Sequence, residues 1–190
     1  MKVLTGDIEK RVVELAQAGD RDAMKQIYDC YSRYLAAVCS RYVTAPSELR
    51  DVLQDAFVKI FDNLHRFEYR GEGSLRAWLR QVVVNEALRR LRDRKKSSTV
   101  EYRWEMPDME SESDDADVGE VPPGVIQDMI KELPDGYRAV FNLYVFEEKN
   151  HREIASLLGI TESTSASQLH RARAILARKI TEYRKRKEID

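Results

Sequence analysis

Apolar residues recur along this chain at spacings of three and four, the period of a helix rather than of a strand. Ile8, Val12, Leu15 and Ala16 mark a first helix, closed by Gly19-Asp20. Ala23, Ile27, Tyr31, Leu35, Val38 and Tyr42 mark a second. Pro46 breaks that pattern, and Ser47 suits the N-cap of a third helix, since its hydroxyl can accept from an otherwise unpaired backbone N–H. The third helix carries Leu49, Val52, Leu53, Ala56, Phe57, Ile60, Phe61 and Leu64 on a broad apolar face, with Asp51, Gln54, Asp55, Lys59 and Asp62 on the other. A break follows at 67–74, where two glycines fall. Leu75 to Arg94 then read as a fourth helix with Trp78, Leu79, Val82, Val83, Ala87, Leu88 and Leu91 inward. No strand-like alternation of useful length occurs.

Residues 97–121 change character. They are acidic, contain serines and hold few aliphatics, a composition that buries too little apolar surface to offset the entropy of ordering. The expected fold class is therefore all-α, with two small helical domains, 1–96 and 122–190, joined by an acidic flexible linker at 97–121. Pro122-Pro123 opens the second domain. Gly124 to Leu133 form a short helix, Pro134-Asp-Gly a turn, and Tyr137 to Phe146 a further helix.

The last third carries the most informative pattern. His151 to Leu158 make a two-turn helix with Ile154, Leu157 and Leu158 inward, and the small Ala155 permits close approach of a neighbour. Gly159 can adopt the left-handed conformation that ends a helix. Ile160 fills the angle, and Thr161 or Ser163 can cap the next helix. That helix has Leu169, Ala172, Leu176 and Ile180 on one face, and Ser165, Ala166, Ser167, His170, Arg171 and Arg173 on the other. A helix, a short glycine turn and a helix with polar and basic first turns form a helix-turn-helix of the kind that enters a DNA major groove.

Charge modifies this picture. The 190-residue chain has a net charge of −1, which looks unfavourable for a DNA binder. Between Glu101 and Glu120, however, nine acids face one base, so that stretch carries −8 and the remainder +7. Basic residues gather at Arg89–Lys96 and Arg171–Lys187, each at the end of an amphipathic helix. Cys30 and Cys39, if on one helix, lie about 13 Å apart along its axis, beyond disulfide reach, so reduced thiols are expected. The three histidines sit near no cysteine pair, and Asp114, Asp115 and Asp117 lack the glycine turn and later glutamate of a calcium loop, so no metal or other cofactor is expected. No apolar run approaches a membrane span and the first residues lack an apolar signal core, which predicts a cytoplasmic protein without direct membrane insertion. No nucleophile–base pair or phosphate-binding glycine loop appears, so no catalytic residues are assigned and no enzyme activity is expected.

Five motifs in order resemble the sigma-70 superfamily, specifically the small extracytoplasmic-function (ECF) sigma factors. Asp51-Val-Leu-Gln-Asp-Ala-Phe57 is similar to region 2.2, and Tyr69-Arg-Gly-Glu-Gly-Ser-Leu-Arg-Ala-Trp-Leu79 to region 2.3 and its loop. Val83-Val-Asn85 with Arg89-Arg-Leu-Arg-Asp93 resembles region 2.4. Leu133-Pro leading into Tyr-Arg-Ala-Val-Phe141 resembles region 4.1, and Glu153-Ile-Ala to His170-Arg-Ala-Arg173 resembles region 4.2. The resemblance implies a protein that binds core RNA polymerase and promoter DNA, with an anti-sigma factor as a further partner. Asp51, Gln54 and Asp55 would contact the polymerase. The loop from Tyr69 to Leu75 would capture a base flipped out of the −10 element, with Phe67 and Tyr69 flanking it as stacking rings and Arg70 within it. Trp78 fits the core better than a stacking platform. Asn85 would meet a base edge, and Arg89, Arg90 and Arg92 would hold phosphates. Ser165, Ser167, Gln168, His170, Arg171 and Arg173 would read or hold the −35 element. Ala166 stands where many family members have a basic residue, which removes one such contact. The acidic linker would thread into the polymerase, its charge mimicking nucleic acid in a basic channel.

Two other readings differ in class. A stand-alone helix-turn-helix repressor or activator would use the second domain alone and would need a dimerisation segment, which is not evident. A metal-dependent hydrolase would need acidic pairs facing across helices, for which Asp51, Asp55 and Asp62 make a weak case.

Overall fold

The computed structural model describes residues 4, 6–97 and 121–187, and within them the secondary structure is helical without a strand. The predicted linker falls almost wholly on 98–120, outside the described residues. The chain divides into two compact units, Met1–Arg90 and Leu91–Asp190.

The first unit is built from α1 (Gly6–Gln17), α2 (Arg21–Cys39), α3 (Pro46–Asn63), a single 3-10 turn (Leu64–Arg66) and most of α4 (Ser74–Ser97). Asp20 caps α2 by accepting from the Ala23 N–H at 2.9 Å. α3 starts earlier than Ser47 implied. Ala45 is its N-cap without a side-chain bond, and Pro46 occupies the first turn, where its missing N–H leaves nothing unpaired. So the proline opens the third helix as well as interrupting the preceding pattern. In α2 every apolar position expected from the period is buried, with Tyr42 buried just beyond the helix end. Ile60, Leu64, Leu75, Leu79 and Leu88 complete that core. Cys39 is buried and Cys30 half-buried, neither in a disulfide, and burial pushes the Cys39 thiol up to about 12.

α1 is rotated by one residue from the expected register. Val12, Val13 and Ala16 face inward, while Ile8 and Leu15 are 62% and 42% exposed. The fourth member of the inward stripe is Glu9, at 1% exposure. Positions 9, 12, 13 and 16 follow the i, i+3, i+4, i+7 rule as well as the chosen apolar set does. The hydrogen bonds available to Glu9 in this rotation, described below, decide between them.

A second buried acid, Glu86, sits on α4 among Val83, Val84 and Ala87. Lys59 of α3 donates to its Oε2, and the Arg89 Nε donates to Oε1 at 2.7 Å. Burial by itself would raise the Glu86 carboxyl, but the Arg89 and Lys59 donors outweigh it and hold the group below its ordinary value of 4.5. The salt bridge therefore fastens α3 to α4.

The second unit contains α5 (Pro123–Lys131), α6 (Asp135–Val145), α7 (His151–Leu158) and α8 (Glu162–Lys187). Its core joins Val121, Met129, Ile130, Leu133 and Tyr137 to Ala172, Leu176 and Ile180 of α8. α5 ends two residues short of the expected Leu133. Buried Arg138 reaches back from α6 and donates through Nη1 to the carbonyls of Lys131 at 3.1 Å and Leu133 at 2.7 Å. These are carbonyls that no further helical turn satisfies. Its Nη2 donates to Asp135 at 2.5 Å. Burial lowers the Arg138 guanidinium to about 10, still protonated at neutral pH. α7 has the predicted bounds. Its start is a capping box, with Asn150 accepting from the Glu153 N–H and Glu153 accepting from the Asn150 N–H, both at 2.9 Å. Its end is Gly159 at φ +64°, the left-handed conformation expected of it.

Glu86 makes the first unit sensitive to acid. Its carboxyl is depressed in the folded state, so its contribution is complete above pH 4.5 and is lost as pH falls through the lower folded value. Glu86→Gln is expected to lower stability at neutral pH by about 1–3 kcal/mol and to flatten the acid-side loss, as read by urea unfolding across pH.

Candidate nucleic-acid interface

In the first unit the bend between the 3-10 turn and α4, residues 67–73, is held by bonds to α1 and α4. Phe67 is half-buried with its ring 5.1 Å from that of Trp78, itself half-buried, so the two rings pack against each other. The Gln17 amide donates to the carbonyls of Leu64 at 3.0 Å and Phe67 at 2.7 Å. The Tyr69 hydroxyl donates to the Gly6 carbonyl at 3.1 Å, and burial together with the Glu9 charge raises its pKa. Gly71 and Gly73 have φ of +109° and +83°, where side chains with a Cβ are strained. Ser74 Oγ closes the turn, donating to the Gly71 carbonyl at 2.6 Å and accepting from the Arg70 N–H. The Gly73 N–H donates to Glu9 Oε2 at 3.2 Å, and Glu9 Oε1 accepts from the Tyr31 hydroxyl at 2.8 Å. Burial, with that bond to Glu9, raises the Tyr31 phenol above its ordinary range, so it remains a donor.

The expected contact residues around this loop are placed unequally. Arg70 is exposed and pairs with the exposed Glu68 at 3.0 Å. Asn85 is exposed, accepting from the Gln81 amide at 2.9 Å, with its own NH₂ at the surface. Arg89 is engaged by buried Glu86 and lies 3.6 Å from Asp55, and Arg90 pairs with Glu48 at 3.0 Å. A phosphate at either arginine competes with a carboxylate already there. Arg92 lies past the division between the units and is half-buried.

Asp51, Gln54 and Asp55 are all exposed at i, i+3 and i+4 on α3, forming one polar face. Val58, at i+7 and 55% exposed, continues that stripe, and Tyr28 of α2, ring to ring with Phe57 at 4.7 Å, is 47% exposed. Neither stood out in the sequence, although the spacing of Val58 from Gln54 and Asp55 was available as a signal.

In the second unit the outward face of α8 is Ala166, Ser167, His170 and Arg173, with Arg171 half-buried. Two expected contacts are corrected. Ser165 and Gln168 are 0% and 1% exposed. Positions 165, 168, 169, 172 and 176 form one inward stripe, so both residues turn toward the core with Leu169 and Ala172 and cannot reach a groove. Ser165 Oγ instead meets His151 Nδ1 at 3.0 Å and ties the two helices of the motif together. Thr161, rather than Ser163, caps α8, accepting from the Thr164 N–H at 3.0 Å. A stack that the sequence did not suggest lies beside the motif. Tyr144 packs on His151 at 5.3 Å, and the Arg173 guanidinium lies 5.6 Å above the Tyr144 ring, which steadies Arg173 by a cation–π contact.

Among the described residues no three or more His, Cys, Asp or Glu gather as a metal site, and no helix is long and apolar enough to cross a membrane. The arrangement comprises an aromatic-flanked loop, an exposed amide further along α4, and an outward helix face that carries Arg173.

The burial pattern separates two kinds of substitution. Arg173→Ala is expected to weaken DNA binding by about 1–2 kcal/mol with thermal stability unchanged. Among the described residues neither side-chain polar atom of Gln168 has a partner, so Gln168→Met is expected to raise the melting temperature and leave DNA affinity as it was.

Comparison with known proteins bears on what these surfaces serve. Residues 27–97 match the family profile of sigma-70 region 2, and residues 124–176 that of sigma-70 region 4. The chain is 28% identical over 183 residues to the ECF RNA polymerase sigma factor SigW of Bacillus subtilis, covering 91% of this chain and 96% of the relative. It is 30% identical over 136 residues to the RNA polymerase sigma-E factor of Streptomyces coelicolor, covering 72% and 73%. A solved structure of the sigma factor RpoE with the anti-sigma factor NepR from Bartonella quintana aligns at 20% identity and a TM-score of 0.47, covering 83% of this chain and 96% of that one.

Proposed function

This chain belongs to the sigma-70 family, among its ECF sigma factors, and we propose on that premise that it binds core RNA polymerase and directs promoter-specific initiation. The observation that carries this is the presence of both regions, in order, in one chain whose two units each present a nucleic-acid-compatible surface. A repressor using the helix-turn-helix alone has no use for the loop at 67–73.

The roles follow from exposure and chemistry. Region 2 spans 1–96, the linker 97–121 and region 4 122–190. Asp51, Gln54 and Asp55, flanked by Val58, present the polymerase-binding face. The loop at 67–73 takes a base extruded from the −10 element, with the Phe67 and Tyr69 rings as stacking surfaces and Arg70 at the backbone. The free NH₂ of Asn85 donates to a base edge. Arg89 and Arg90 serve phosphates by exchanging carboxylate partners, and Arg92 holds a further phosphate. In region 4, Ser167, His170, Arg171 and Arg173 face the −35 element, and Ser165 and Gln168 hold the motif's core instead. The protein makes no bonds itself, since the chemistry belongs to the polymerase, and it works in the cytoplasm with an anti-sigma factor as its regulator. The acidic linker passes through a basic polymerase channel.

Transcription in vitro with purified core polymerase tests this reading. Initiation at defined promoters that depends on the added chain is the expected outcome, and DNA binding by the chain without any initiation would favour the repressor. Asp51→Ala with Asp55→Ala is expected to weaken core binding by at least tenfold, about 1.4 kcal/mol, with the melting temperature nearly unchanged. Equal affinity of this double variant in a fluorescence titration with core would remove α3 from the interface.

A further inference from the structure

The loop at 67–73 owes its shape to a helix that precedes the matched region 2 segment. The profile begins at residue 27, whereas α1 ends at Gln17. Yet α1 supplies three of the loop's tethers: the Gly6 carbonyl to the Tyr69 hydroxyl, the Gln17 amide to the Leu64 and Phe67 carbonyls, and the Glu9 carboxylate to the Gly73 N–H. Glu9 is the central one. It is almost wholly buried, and its second oxygen takes the Tyr31 hydroxyl of α2.

We propose that Glu9 is a positioning residue for the base-capturing loop, which its buried carboxylate latches to α1 and α2 through the Gly73 N–H. The inference rests on the reading of that loop given above. Three physical points carry it. A buried carboxylate without donors is costly, so the loop cannot leave without exposing Glu9 or losing its bond. The donor is a backbone N–H at a glycine with φ +83°, so the latch specifies a loop conformation rather than the identity of a side chain. The same acid also lies close enough to Tyr69 to raise its phenol, which places the latch beside a ring proposed to stack on the extruded base. A loop already ordered before the base arrives binds more tightly than one that must be ordered by it.

Glu9→Leu, Glu9→Gln and Gln17→Leu in the full chain, assembled with core polymerase, test the latch. The probe is a short single-stranded DNA selected from a randomised pool by the wild-type holoenzyme. Glu9→Leu is expected to speed amide hydrogen exchange across 67–74 and to weaken probe binding about tenfold, with core affinity within twofold of wild type. Glu9→Gln is expected to restore most of both, because an amide oxygen can accept from the Gly73 N–H while its NH₂ donates to the Tyr31 hydroxyl. A folded Glu9→Leu chain with unchanged loop exchange and unchanged probe binding overturns the proposal. If that variant does not fold, Gln17→Leu carries the same two readouts, and unchanged values in it overturn the tethering of the loop by α1. Failure of the wild-type holoenzyme to select any probe would sink the base-capture reading, while loop exchange would still decide whether Glu9 holds the loop.

Discussion

A carboxylate taken out of water must be met by donors, and the first unit is organised by meeting that demand twice. Glu9 joins α1 to α2 and to the loop before α4. Glu86 joins α4 to α3 through Lys59 and draws Arg89 onto itself. Each acid connects segments far apart in sequence, which a purely apolar core would hold with less directional preference. The loop owes its conformation to the first acid. The second draws the exposed Arg89 toward carboxylates, while Asn85, one helical turn earlier, stays at the surface.

The second unit solves the converse problem with a buried cation. Arg138 closes the end of α5 by occupying carbonyls that the helix leaves unpaired, and Asp135 supplies the compensating charge. The capping box at Asn150 and the left-handed Gly159 then set where α7 begins and ends, and the Ser165–His151 bond sets how α8 leaves it. Together they determine which α8 side chains look outward. The outward face of the first turns of α8 is narrower than its polar composition suggests, running through Ser167, His170 and Arg173, with Arg173 steadied by Tyr144.

On the proposed reading the two units act together on the polymerase, and the construction suits that. Each surface is small. The helix-turn-helix has a few outward polar groups, and the arginines of α4 are partly neutralised by neighbouring acids. Neither offers the dense cationic field that gives strong unspecific binding on its own. Linking two weak surfaces through the polymerase multiplies them by effective concentration rather than by new contacts.

The helices and the helix-turn-helix were legible in the sequence because a regular apolar period reports burial directly. α2 matched at every expected position, α7 had the predicted bounds, and Gly159 adopted the conformation its position required. Five ordered motifs were enough to identify the family. The sequence misled where a polar residue lies on an inward stripe. Glu9, Glu86, Ser165 and Gln168 each sit at a core spacing, but chemistry alone assigns such residues to the surface. Only the tertiary structure reveals the partner that admits a polar group to the interior: Tyr31 and the Gly73 N–H for Glu9, Lys59 and Arg89 for Glu86, and His151 for Ser165. Apart from Arg89, one turn along α4 from Glu86, those partners lie on other helices or in a distant loop, and a local period carries no information about them. The sequence thus determined which segments are helices and which family they form. The fold decided the rotation of α1, the shape of the loop, and which polar side chains face outward, because those depend on hydrogen bonds between residues that are remote along the chain.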